Sequence, residues 1–202
     1  MKKRMFASLL LVLILILVQC PIYAFASPED WQGKILDDFS VNTIDGERFT
    51  LSESLKTHDL VLINLWATWC GPCRMEFPAL EEAWERYGDR VDVIALSVEP
   101  EDSFDILRSF AADNGLSFRL GRDEAGLFDR MEGSAIPTTL IVDRERRVVA
   151  VEIGAKTSAE EFTDLFDSLL SSAPAAAYEV PRCVLRFRDA DGDPIPGVSV
   201  AW

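Results

Sequence analysis

Apolar side chains along this chain change their spacing from segment to segment, and the changes mark out the elements. Val61 to Leu65 is a short apolar run rich in branched side chains, the pattern of a strand buried on both faces. From Phe77 the apolar positions recur as Leu80, Trp84 and Tyr87, which predicts a helix. Val91 to Val98 returns to a second core strand. Phe104, Leu107, Phe110 and Ala111 then share a helical face that Asn114-Gly115 stops. Phe118 to Leu120 is a short extended piece, and Asp123 to Arg130 predicts another helix. Leu140–Asp143 and Val148–Ile153 flank the polar turn 144–146, an antiparallel hairpin. Thr157-Ser158 meets Glu160-Glu161 at capping-box spacing, ahead of Phe162, Leu165, Phe166, Leu169 and Leu170 at helical spacing.

The ends of the chain follow other patterns. Met1 to Ala26 has a basic start, an unbroken apolar run from Leu9 to Val18 and a small-x-small site at Ala24-Phe25-Ala26, the pattern of a signal peptide over 1–26. The run is short for a membrane span. Uncleaved anchoring and lipidation at Cys20 are the alternatives to cleavage, and each places the body outside the cytoplasm. Residues 27–35 are a polar lead-in. Phe39–Thr43 and Glu47–Leu51 flank Asp45-Gly46, a strong hairpin signal, and 52–55 predicts one helical turn. His58, the sole histidine, reads as a surface residue. Residues 172–180 form a linker. Beyond it Cys183, Leu185 and Phe187 alternate, then Val198, Val200 and Trp202. The string R-D-A-D-G-D-P-I-P-G-V-S-V resembles the opening hairpin of carboxypeptidase-regulatory-like β-sandwich modules, so 181–202 is read as the start of one.

Composition narrows the partners. The 202 residues carry 34 acids against 20 bases, a net charge of −14. Removing Lys2, Lys3 and Arg4 with the leader leaves 17 bases and a net charge of −17. Such an acidic body argues against nucleic acid and anionic membrane surfaces.

The chemistry sits where the first core strand gives way to its helix, at W-A-T-W-C-G-P-C. Cys70 and Cys73, with two residues between them, lie over the unpaired N–H groups and positive dipole end of that helix. Both favour thiolate, the nucleophilic form. Cys70 is the expected attacking thiol and Cys73, one turn on, the resolving one. A zinc site would have to draw its two further ligands from Cys20, Cys183 and His58, and a structural disulfide closing so small a loop stabilises little. No metal and no cofactor is expected. Glu76 follows Cys73 by three residues on the same side of the helix, where a carboxylate can hold the resolving thiol's proton. Trp69 offers a flat apolar contact beside Cys70.

W-C-G-P-C followed by a helix with a proline five residues on resembles thioredoxin. The longer N-L-W-A-T-W-C-G-P-C-R-M-E-F-P-A-L is similar to the extracytoplasmic TlpA/ResA branch, over about 36–171. The resemblance implies an α/β thioredoxin-like fold: a central mixed sheet flanked by helices, with an N-terminal β-hairpin ahead of it and a short C-terminal β segment after it. It implies a redox-active Cys70–Cys73 disulfide, with Gly71-Pro72 the dipeptide of a reductant. It implies a cis Ile136–Pro137 bond facing the dithiol, whose Ile136 backbone groups pair with an extended guest chain. Thioredoxin's buried Asp is replaced by Asn64, and ResA-type proteins carry a glutamate at the place of Glu76.

The function expected is therefore an exported thiol-disulfide oxidoreductase, acting as a monomer on disulfide-containing proteins. A membrane thiol relay would supply its electrons, and apocytochrome c assembly or envelope redox homeostasis would be its setting. Two alternatives stay open. One is a peroxiredoxin-type peroxidase, although Thr68-Trp69-Cys70 misses the T-x-x-C spacing. The other is a non-catalytic envelope binding module served by the C-terminal segment.

Overall fold

A computed structural model of the chain describes residues 28–172, 185–188 and 194–200. The signal peptide read over 1–26, with Cys20, the linker read over 172–180 beyond its first residue, and Cys183 after it lie outside the described residues.

Five strands form the central sheet in the order β5-β4-β3-β6-β7. They are β3 (Leu60–Trp66), β4 (Val91–Ser97), β5 (Arg119–Arg122), β6 (Thr138–Asp143) and β7 (Val148–Ile153). β3 runs parallel to β4, as β4 does to β5, while β6 and β7 are antiparallel to their neighbours. The sheet is thus mixed, and β3 is its middle strand, buried along its whole length.

Period-2 alternation sends β3 side chains to two separate cores. Leu60, Leu62 and Trp66 pack with Phe77 and Leu80 of α2 (Gly71–Tyr87), Leu107 of α3 (Phe104–Asn114) and Phe162 and Phe166 of α5 (Ala159–Ser172). Val61, Ile63 and Leu65 pack on the opposite face against Val41, Phe49, Leu51 and Leu127. Those residues come from the hairpin β1 (Ser40–Asn42) and β2 (Arg48–Thr50) and from two single-turn helices, α1 (Leu51–Ser54) and α4 (Leu127–Arg130).

Helix ends follow their sequence signals. The Ser103 hydroxyl accepts from the Ile106 N–H at the start of α3, and Gly115 closes that helix at φ +64°. Ser158 and Glu161 cap α5 reciprocally: the Glu161 carboxylate accepts from the Thr157 and Ser158 N–H groups, and the Ser158 hydroxyl accepts from the Glu161 N–H. The helix predicted over 123–130 is shorter, since Gly126 takes φ +63° and the chain becomes helical only at Leu127. Asp123 stays outside α4 and accepts from the N–H groups of Leu127 and Phe128. His58 lies at the surface. It is half-buried, with Nδ1 3.0 Å from the Ser54 carbonyl oxygen, closing the last turn of α1. The pair β8 (Leu185–Arg188) and β9 (Pro194–Val200) is antiparallel, in keeping with the alternation there.

Open sheet edges invite further pairing, and both edges here are covered. Along β7, residues 33–36 exchange backbone hydrogen bonds with Arg146 and Val148. Along β5, the β1–β2 hairpin closes on the strand through a Thr43–Gly121 bridge and the Ile44 N–H donating to the Leu120 carbonyl. A Cβ on Gly121 would stand 2.7 Å from the Asn42 carbonyl oxygen, so only glycine fits that approach. Gly121→Ala should therefore destabilise the chain by about 1–3 kcal/mol, as overpacking does. A urea-unfolding midpoint equal to the parent's would show that the hairpin is not pinned there.

Candidate active site

The end of β3 and the start of α2 hold the cysteines. Buried β3 fixes where the chain leaves the sheet, and the turn over Ala67–Trp69 delivers Cys70 as the N-cap of α2. Pro72 sits in the first helical turn, where its missing N–H has no partner to lose. The helix runs on through Pro78 to Tyr87. Cys70 and Cys73 form a disulfide with Cα atoms 5.3 Å apart. Cys70 is 3% exposed and Cys73 is fully buried, so only the first sulfur touches the surface. The Cys73 N–H donates to the Cys70 sulfur at 3.2 Å. That donor and the helix dipole favour negative charge on Cys70 once the disulfide opens.

The Ile136–Pro137 peptide bond is cis, and the Ile136 carbonyl oxygen lies 3.7 Å from the Cys70 sulfur. A disulfide sulfur has no proton to donate, so this is a packing contact. Trp69 is 66% exposed, and its indole N–H donates to Glu99 at 2.8 Å. The ring lies open to a guest chain. Gly71 and Pro72 are exposed beside it. Trp66 has the other fate: it is fully buried, edge-on to Phe77 with ring centroids 4.7 Å apart.

Glu76 is fully buried on the helix face that carries Cys73. Its Oε2 accepts from the Asn64 side-chain amide at 3.0 Å and its Oε1 from the Lys156 backbone N–H at 3.2 Å. Burial pushes the carboxyl up from its ordinary 4.5 to about 7, although those two donors and the Lys156 charge pull it down. Asn64 belongs to the β3 face that meets α2, since it alternates with Leu62 and Trp66. It pairs across the sheet with Thr139 and donates to the Thr139 hydroxyl at 2.9 Å.

Three contributors were not singled out from sequence. Asp102 is buried and grips the active-site turn: its carboxylate accepts from the Thr68 N–H at 3.0 Å, the Thr68 hydroxyl at 2.6 Å and the Ser97 hydroxyl at 2.5 Å. No local pattern marks it. Thr139 and Lys156 come from β6 and from the loop before α5; strand period gives the first its face, and nothing in the sequence places the second. Among the described residues, no group of three His, Cys, Asp or Glu is arranged to hold a metal ion.

Comparison with known proteins agrees with this geometry. The family model described as AhpC/TSA matches residues 32–151. The thioredoxin-like protein YneN of Bacillus subtilis is 31% identical over 164 residues, covering 79% of this chain and 95% of YneN. The thiol-disulfide oxidoreductase ResA of the same organism is 32% identical over 162 residues, covering 77% of this chain and 88% of ResA. A thioredoxin-family thiol:disulfide interchange protein of Chlorobium tepidum superposes with a TM-score of 0.60 at 24% identity, over 69% of this chain and 97% of its own, a likeness of fold.

Buried Glu76 also links stability to pH. Between 4.5 and about 7 the folded chain keeps a proton on Glu76 that the unfolded chain releases. This group's contribution is therefore full below 4.5 and is lost as pH rises through about 7, by about 3 kcal/mol in all. Glu76→Gln should remove that slope, so that the variant gains on the parent between pH 5 and pH 8 in urea unfolding. Parallel pH profiles for the two proteins would contradict the shift.

Proposed function

This chain belongs to the AhpC/TSA family and is a thiol-disulfide oxidoreductase of the ResA type, and from that premise we propose that it is an exported reductant of protein disulfides working through Cys70, Cys73 and Glu76. One observation carries the reading: a helix-capping disulfide with a buried, proton-holding carboxyl one turn below it.

The cycle starts from the dithiol. The Cys70 thiolate, held by the Cys73 N–H, attacks one sulfur of a substrate disulfide. A bond forms between Cys70 and that sulfur, and the other substrate sulfur leaves as a thiolate. Trp69, Gly71 and Pro72 present a flat surface to the guest chain, while the Ile136 backbone beside Pro137 pairs with it. Cys73 then passes its thiol proton to the Glu76 carboxylate and attacks Cys70. The Cys70–Cys73 bond forms, the mixed disulfide breaks, and the second substrate sulfur leaves. Two electrons have moved from the dithiol to the substrate. A carboxyl near 7 suits this task, since it is neither permanently ionised nor permanently protonated at neutral pH. A second dithiol must re-reduce the pair, and a membrane thiol relay is the partner we assign to that step.

The leader supports export and the envelope as the working compartment, and envelope proteins, apocytochrome c among them, are the substrates we assign there. Residues 36–171 are read as the working unit, 172–180 as a linker and 181–202 as the opening of a separate β module. A peroxidase on the same fold is the weaker reading, because Cys70 already has its resolving partner three residues away.

Two experiments test this. Cys73→Ser should accumulate mixed disulfides between Cys70 and client proteins, the same set when the chain ends at residue 172, while the parent reduces insulin. Absence of trapped species together with inert insulin would sink the proposal, and peroxide turnover outpacing insulin reduction would favour the peroxidase. Intact mass of the exported protein should place its first residue at Ser27; a start at Met1 or a lipid-bearing Cys20 would reject cleavage.

A further inference from the structure

The Asn64 amide is fully buried and only half paired. Its Nδ2 donates to Glu76 Oε2 at 3.0 Å and to Thr139 Oγ1 at 2.9 Å. Its Oδ1 has no partner among the described residues. A buried acceptor without a donor is costly, so an orphan beside the proton-holding group calls for an explanation.

Protonation of Glu76 would change what this pairing needs. The Lys156 N–H points at Oε1, so an added proton belongs on Oε2. Once there, Oε2 must donate, and the amide N–H₂ now facing it cannot accept. Turning the amide over resolves the conflict. Oδ1 then accepts from Glu76 Oε2–H and from the Thr139 hydroxyl, which switches from acceptor to donor. Nδ2 takes the place where Oδ1 stood unpaired. Each arrangement leaves one amide end without a partner, so the number of bonds does not choose between them.

We propose that Asn64 is a positioning residue of the redox cycle, its amide presenting Nδ2 to the Glu76 carboxylate and turning over to present Oδ1 when Glu76 takes the Cys73 proton. This rests on the role given to Glu76 above. No atom is left over: the proton leaves Cys73 Sγ, resides on Glu76 Oε2, and the amide changes only its orientation. The charged groups that act on Glu76 are Lys156, whose ammonium pairs with Glu152 of β7, and Glu161 of α5. Asn64 and Thr139 contribute the neutral polar groups facing it from β3 and β6.

The test uses the whole protein carrying a mixed disulfide of Cys70 with thionitrobenzoate, the release of which reports resolution by Cys73. In the parent, release should rise with pH as Glu76 ionises. Asn64→Ala removes both the donor to the carboxylate and the acceptor from the carboxyl, and the bond to the ionised form is the stronger of the two. The variant's midpoint should move up by about one pH unit, giving roughly fivefold slower release at pH 7 and near-parental release at pH 9. In the parent, the Asn64 side-chain N–H₂ signals should titrate with the Glu76 carboxyl carbon and show contacts to Thr139 only on the alkaline side. This second measurement needs no variant to fold. An Asn64→Ala profile lowered equally at every pH, or amide signals indifferent to the Glu76 titration, would overturn the proposal. If Glu76→Gln itself releases thionitrobenzoate with the parent's rate and pH profile, the role of Glu76 fails and this inference with it.

Discussion

A single backbone donor, the Cys73 N–H 3.2 Å from the Cys70 sulfur, joins the fold to its chemistry. It exists only because α2 begins where β3 ends, so that a free N–H of the first helical turn meets a side chain rather than water. Everything around it keeps that junction still. β3 is paired on both sides along nearly its whole length and buried on both faces, and Asp102 holds the intervening turn by two bonds to Thr68. A loose junction would let the N–H groups drift to solvent and the advantage of the thiolate with them.

The second constraint is a carboxyl kept out of water. An ionised Glu76 at full burial is expensive, and two neutral donors offset only part of the cost, so the group sits near 7 rather than at its ordinary 4.5. The same burial that weakens the folded state at alkaline pH leaves the carboxyl able to take up or release a proton near neutral pH. Stability and chemistry draw on one desolvated side chain and pull in opposite directions, a common feature of working sites.

Much of this was legible from residue patterns. The apolar run into W-C-G-P-C predicted a strand-to-helix junction with sulfurs at its tip, and the capping box at Ser158–Glu161 and the Asp45-Gly46 turn stand where their patterns put them. The misreading of the helix over 123–130 has a local physical reason. Gly126 takes a left-handed conformation that delays α4, which helical spacing alone cannot register.

What the chain determined by itself is what rests on neighbours in sequence: the strand, the helix, the two thiols one turn apart, and the side of the helix on which Glu76 lies. Only the tertiary structure decided what meets that glutamate. Asn64 is 12 residues from it and Lys156 is 80, and Thr139 stands 75 residues from Asn64. Strand alternation says which face Asn64 takes, yet not which helix covers it or which loop closes over the carboxyl. Those contacts arise from the packing of α2 and α5 on the sheet, and the packing sets the desolvation that raises the carboxyl to about 7.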